Sequence, residues 1–182
     1  MKLHEMNLYK YHSNPETLSG YEKRHLIVPE LAYETLKSGQ ELTPEDKQLA
    51  LKAIAKDPMW AYYYARYVIK GRWPEGEVAI ASDPYWAYYY ARYVIEGRWP
   101  EGEVAIAKSP QWVYRYARYV IEGRWPEGEA AIASDPYWAY RYAENVIKGR
   151  WPEGEAAIAK NSEWAVKYKK LLKKLSKQNE TK

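Results

Sequence analysis

PYWAYYYARYVIEGRWPEGEVAIAKS, residues 84–109, is one of four near-identical units, each 26 residues long. The units begin at Pro58, Pro84, Pro110 and Pro136, and each carries the phrase RWPEGE, at 72–77, 98–103, 124–129 and 150–155. Self-similarity at a fixed period of this size marks a stacked repeat architecture, in which no unit can bury its apolar face alone.

Within a unit the punctuation is helical. Asp57, Asp83, Ser109, Asp135 and Asn161 stand just before successive unit starts. Residues of these types accept hydrogen bonds from the free amides of a first helical turn. Proline follows the first four, at the position where its missing N–H costs nothing. The spacing predicts a long helix in each unit, ending at Gly71, Gly97, Gly123 or Gly149. Each of these glycines is expected to supply the left-handed residue that closes a helix. A second proline (Pro74, Pro100, Pro126, Pro152) opens a shorter helix, with Glu75 and Glu77 in the first copy suited to the positive end of its dipole. RWPEGE therefore reads as the turn that folds a helical hairpin.

Numbered from its proline, each unit carries Trp, Ala, Tyr, Ala, Val and Ile at positions 3, 4, 7, 8, 11 and 12, with Val113 the exception at position 4. That spacing is one apolar helical stripe. Alanines such as Ala61 and Ala65 let a neighbouring helix approach closely. Truncating a buried ring such as Trp86 to alanine is expected to cost about 3–5 kcal/mol.

The fold class expected is all-α: a solenoid of stacked short helix-turn-helix repeats between two caps. Residues 29–57 read as a degenerate capping unit, in which Pro29, Ala32, Tyr33, Gly39 and Pro44 echo the repeat. Residues 58–161 are the four full units. Residues 162–182 form a Lys-rich capping helix, with Trp164, Tyr168, Leu171, Leu172 and Leu175 on its inner face; solenoids need such a polar outer cap. Residues 1–28 do not repeat and read as an irregular N-terminal element.

The totals narrow the function classes. The chain has 182 residues, 20 Tyr, 9 Trp, no Phe and no Cys, with a net charge of +4. Without cysteine there is no disulfide and no thiolate metal site. A charge this mild does not by itself call for nucleic acid. No apolar run approaches the roughly 18 residues of a membrane span, and the first residues carry no secretory apolar stretch. The expectation is a soluble cytoplasmic protein with no membrane partner.

In general class the repeats resemble helical-hairpin solenoids, of which tetratricopeptide repeats are best known, although the period is shorter and that family's glycine-tyrosine signature is missing. The phrases AIAKDP, WAYYYARYVI, KGRWPEGE and NPETLSGY resemble repeat proteins encoded by bacteriophages and large DNA viruses. That resemblance implies a viral origin, a host-cell cytoplasmic setting and no catalytic residues to carry over. By analogy it implies a protein that counters a host defence by binding a protein or a nucleotide signal.

Residues that could carry catalysis are sparse. The only histidines are His4, His12 and His25, and their spacing is not that of a ready metal pair. Gly71 to Gly76 has the glycine spacing of a phosphate loop, but the Lys-Ser/Thr that should follow is absent and Glu77 would repel phosphate. The PEGE glutamates read as dipole partners and as ion-pair partners of Arg72, Arg98, Arg124 and Arg150. No enzyme activity, cofactor or metal is expected.

The units differ at positions 2, 6, 9 and 13, which lie on one stripe of the long helix. The candidate binding residues on that stripe are Tyr63, Arg66, Tyr85, Tyr89, Arg92, Arg115, Arg118, Tyr137 and Arg141. Position 10 (Tyr67, Tyr93, Tyr119, Asn145) borders it. Tyr and Arg are the side chains enriched at binding hot spots. They also stack on bases and pair with phosphates. The expected function is a non-enzymatic interaction protein that binds a host protein through this face. A nucleotide or oligonucleotide ligand on the same face is the alternative, and a structural or designed consensus scaffold is a third reading. Self-association through the exposed tyrosines is a further option. The Lys-rich end could bind acidic lipid or nucleic acid, but its apolar stripe is needed to close the stack.

Overall fold

The computed structural model describes residues 23–180, and every regular element among them is helical. Helix α1 (Arg24–Ile27) precedes the first hairpin, α2 (Pro29–Lys37) and α3 (Pro44–Ile54). The four units then alternate long and short helices. The long ones are α4 (Pro58–Tyr63), α6 (Pro84–Tyr90), α8 (Pro110–Tyr116) and α10 (Pro136–Tyr142). Each continues into a wider π-helical stretch: Tyr64–Ile69, Ala91–Ile95, Ala117–Ile121 and Ala143–Ile147. The short ones are α5 (Pro74–Ser82), α7 (Pro100–Ile106), α9 (Pro126–Ile132) and α11 (Pro152–Ala159), and α12 (Ser162–Glu180) closes the stack. Each long helix packs on its own short helix and on the long helix of the next unit. This is the all-α repeat solenoid that the period predicts. Among the described residues, no helix is long and apolar enough to cross a membrane.

The RWPEGE turn is a hydrogen-bonded knot that two units tie together. In the second copy the buried Trp99 N–H donates to the Tyr116 hydroxyl at 2.8 Å, and that hydroxyl donates to Glu103 at 2.8 Å. Arg98 grips the same carboxylate with two bonds, of 2.8 and 2.7 Å. Tyr116 belongs to the following unit. The pattern recurs as Trp73–Tyr90–Glu77–Arg72, Trp125–Tyr142–Glu129–Arg124 and Trp151–Tyr168–Glu155–Arg150. Burial works against ionisation of Glu103, but the bonds from Arg98 and Tyr116 outweigh it and hold the carboxyl below its ordinary range. Burial pushes the Tyr116 phenol well above its ordinary value, so it stays a donor. The indoles of Trp99, Trp125 and Trp151 are almost wholly buried. The indole Nε1–H groups of Trp99 and Trp125 have no hydrogen-bond partner among the described residues, so these rings contribute through burial while their backbone amides bond the tyrosine hydroxyls.

The glycine of PEGE has a steric reason. A Cβ on Gly102 would stand 2.4 Å from Cε3 of the Trp99 ring and 3.1 Å from Ala87 Cβ. Gly76 and Gly154 are similarly tight against their own tryptophans, and a Cβ on Gly128 would meet Val113 at 2.4 Å and Trp125 at 2.7 Å. Only a bare backbone lets the ring lie on the short helix.

Several expectations need correction. The left-handed residue that ends each long helix is not the glycine but the residue before it: Lys70, Glu96, Glu122 and Lys148, with φ of 59°, 58°, 57° and 55°. The π-helical turn holds one more residue than an α turn. The chain therefore reverses at position 13, where the amides of Lys70 and Gly71 both donate to the Ala65 carbonyl. Nothing in the structure explains Gly71, Gly97 or Gly123, where an added Cβ meets nothing within 4 Å.

The apolar stripe also shifts. Position 5 (Tyr62, Tyr88, Tyr114, Tyr140) is buried although it lies outside the predicted stripe; at position 12 Ile69 is exposed, whereas Ile95, Ile121 and Ile147 are partly buried against the core as predicted. Position 5 is covered by the next unit, where Tyr62 packs on Trp86 at 5.4 Å and Tyr88 on Trp112 at 5.5 Å. Four of the five caps form as predicted: Asp57, Asp83, Asp135 and Asn161 accept amide hydrogen bonds. Ser109 makes no side-chain cap bond. Finally, residues 24–27, read as part of an irregular element, form a helical turn with Leu26 buried.

Candidate binding face

Position 6 belongs to the candidate stripe, but its tyrosines are half-buried between units. Tyr63 packs on Trp86 of the next unit, ring centroids 5.5 Å apart, and Tyr89 packs on Trp112 at 6.4 Å. Position 2 is freer. Tyr85 and Tyr137 are 40% and 37% exposed and lean on the next unit's Trp112 and Trp164. Along the second long helix the rings of Tyr85, Tyr89 and Tyr93 run in one file, with centroids 4.7 and 5.8 Å apart.

A second file runs from unit to unit and meets the first at Tyr93, linking positions 9 and 10. Arg66 lies 5.5 Å from the Tyr67 ring of its own unit and 4.5 Å from Tyr93 of the next. It also donates to the Tyr93 carbonyl at 2.7 Å. Arg92 repeats this between Tyr93, at 5.1 Å, and Tyr119, at 4.6 Å. Arg118 lies 5.2 Å from Tyr119, and its other neighbour along the file is Asn145 instead of a ring. Each such arginine–ring contact contributes about 0.5–1 kcal/mol at an exposed site. Arg92 and Arg118 also donate to the buried-side phenols Tyr88 and Tyr114.

The structure therefore brings Arg66, Arg92 and Arg118 into one ladder and sets Tyr63, Tyr85 and Tyr89 in files beside it, whereas Tyr137 packs on Trp138 and Trp164. Arg115 stacks separately on Trp112 of its own helix, at 5.0 Å. Arg141 turns to Glu144, 3.8 Å away, with its Nε buried and without a hydrogen bond. The π-helical stretch carries positions 9 and 10 together to the unit boundary, which is why the position-10 tyrosines join the face. Helical spacing puts them only at its border, yet Tyr67 is 54% exposed and Tyr119 42%. The recurring Ala-Arg-Tyr at 65–67, 91–93 and 117–119 was the signal available in the sequence.

The fourth unit differs. It reads Ala-Glu-Asn at 143–145. Glu144 accepts from the Tyr140 hydroxyl at 2.6 Å, and burial together with Glu144 pushes that phenol up to about 12. Asn145 donates to the Arg141 carbonyl and to Glu144.

No metal-binding group of three or more His, Cys, Asp or Glu occurs among the described residues. His25 sits half-buried in α1, and His4 and His12 lie outside the described residues. Among known proteins, the chain matches no family model, no curated protein and no solved structure.

Proposed function

We propose that this chain is a non-catalytic binding protein whose partner is another protein, held on the Tyr/Arg face. In the viral setting that the sequence resemblance implies, that partner is a host protein. The observation that carries the reading is the meeting of two aromatic files on one side of the stack, with Tyr67, Tyr85, Tyr119 and Tyr137 all exposed. Rigid rings presented at low side-chain entropy are what a protein interface uses as anchors. The arginines on this face are engaged with rings and phenols of the chain itself, which makes them pre-organised donors and leaves them less free to serve as phosphate clamps.

The test uses purified protein carrying Tyr67→Ser and Tyr119→Ser, two substitutions on exposed rings. A host protein captured by the parent chain, identified and then re-bound from pure components, is expected to lose affinity by roughly tenfold or more, as for hot-spot tyrosines. The melting temperature should stay within a few degrees of the parent. Parental affinity in the double variant overturns the proposal. Loss of a concentration-dependent dimer, with no other partner found, would replace the host protein by a second copy of the chain.

A further inference from the structure

Three features lie outside this reading. The exposed valines Val78 and Val104 line a groove between α5 and α7, but nothing shows what covers them. The lysines of α12 form a solvated cap. The break in the cation–ring ladder at the fourth unit carries more, because the repeat itself shows what belongs there.

In the first two inter-unit steps the guanidinium of position 9 meets the position-10 ring of the following unit, Arg66 on Tyr93 and Arg92 on Tyr119. At the third step the same register offers Arg118 the short amide of Asn145. A groove of about 470 Å³ opens there, lined by Arg118, Glu122, Glu144, Asn145 and Lys148 among others. The equivalent groove beside Arg66, where Tyr93 is present, measures about 330 Å³. The larger space is where a phenol ring would lie in the other units.

Resting on the protein-binding reading above, we infer that this groove is a slot for a tyrosine side chain of the partner, which completes the ladder in trans. Arg118 supplies the guanidinium for the ring. Asn145 and Glu144 supply acceptors for the phenol hydroxyl, and the Asn145 side-chain oxygen accepts no hydrogen bond among the described residues. The lining decides against a phosphate-bearing ligand. Its two cations, Arg118 and Lys148, are matched by the carboxylates of Glu122 and Glu144, so a phosphate would face as many repelling charges as attracting ones. A neutral ring with one hydroxyl meets no such opposition.

The experiment is an amide-correlation NMR titration of the full chain with N-acetyltyrosinamide, and with adenosine monophosphate as the comparison probe. Saturable shifts are expected at residues lining the groove with tyrosinamide and not with the nucleotide. Asn145→Tyr fills the slot from within, and is expected to reduce tyrosinamide affinity roughly tenfold or more while melting no lower than the parent. If that variant fails to fold, Arg118→Gln, which leaves the groove open but removes the guanidinium, is expected to give the same loss. Absence of saturable shifts up to the solubility limit, shifts that persist in both variants, or a response to the nucleotide alone would each overturn the inference. The two proposals fail separately. Loss of partner binding in the Tyr67/Tyr119 double variant without tyrosinamide binding removes only the slot. Tyrosinamide binding with no effect of the double variant on partner affinity removes only the wider face.

Discussion

A single hydroxyl per unit ties the stack together. The Tyr116 oxygen accepts from the buried Trp99 amide and donates to Glu103, so replacing it by hydrogen leaves a buried donor unsatisfied. Such a loss costs about 1–3 kcal/mol. Tyr116→Phe should therefore lower stability by that amount in urea denaturation. The control is Tyr64→Phe at the same position of the first unit. Tyr64 is buried and stacks on Trp73 at 4.8 Å, but the degenerate cap before it has no RWPEGE to bond. Its change is expected to stay within about 0.5 kcal/mol. Equal losses in the two variants would show that the hydroxyl network contributes nothing.

At the scale of the element, the two glycines around each Arg-Trp-Pro do different things. Gly102 keeps the short helix close under Trp99, and a Cβ there would overlap the ring. Gly102→Ala should destabilise by about 1–3 kcal/mol, the ordinary range for overpacking a core. Gly97 has open space around an added Cβ and does not take the left-handed conformation. Gly97→Ala should change stability by less than about 1 kcal/mol. Its neighbour Glu96 does sit at φ 58°, where a non-glycine residue is strained by roughly 1–2 kcal/mol. Glu96→Gly should consequently raise the melting temperature, and a fall would mean that the Glu96 side chain makes a compensating contact.

The whole molecule responds to pH at both ends of the scale, because each of the four RWPEGE turns pairs a carboxylate with a phenol. Arg72 is the largest influence lowering Glu77, and Arg150 the largest lowering Glu155; Glu103 and Glu129 are lowered in spite of burial. A carboxyl depressed in the folded state contributes stability that is present above its unfolded value, about 4.3. That stability is lost as pH falls through the folded value. Tyr90, Tyr116 and Tyr142 are raised, chiefly by burial. Their contribution is full below the unfolded phenol value of about 10 and is lost as pH climbs toward the folded value. Urea midpoints should therefore form a plateau between about pH 5 and 9, falling on both sides. An unchanged midpoint from pH 7 down to 3 would rule out the carboxylate contribution.

The sequence by itself determined the period, the helical hairpin, the caps and the turn. These follow from residue types whose preferences act locally: aspartate before proline, proline after tryptophan, alanine and tryptophan at helical spacing. It also placed Arg66, Arg92 and Arg118 on one face. What only the tertiary structure decided is how that face is built. The widening of each long helix after position 7 depends on where Ala65 and its equivalents meet two amides at once, and no local preference encodes that choice. It moves the left-handed residue to Lys70 and brings Arg66 and Arg92 against a tyrosine of the next unit. The partners in that ladder stand about one repeat apart in the chain, and only stacking makes them neighbours.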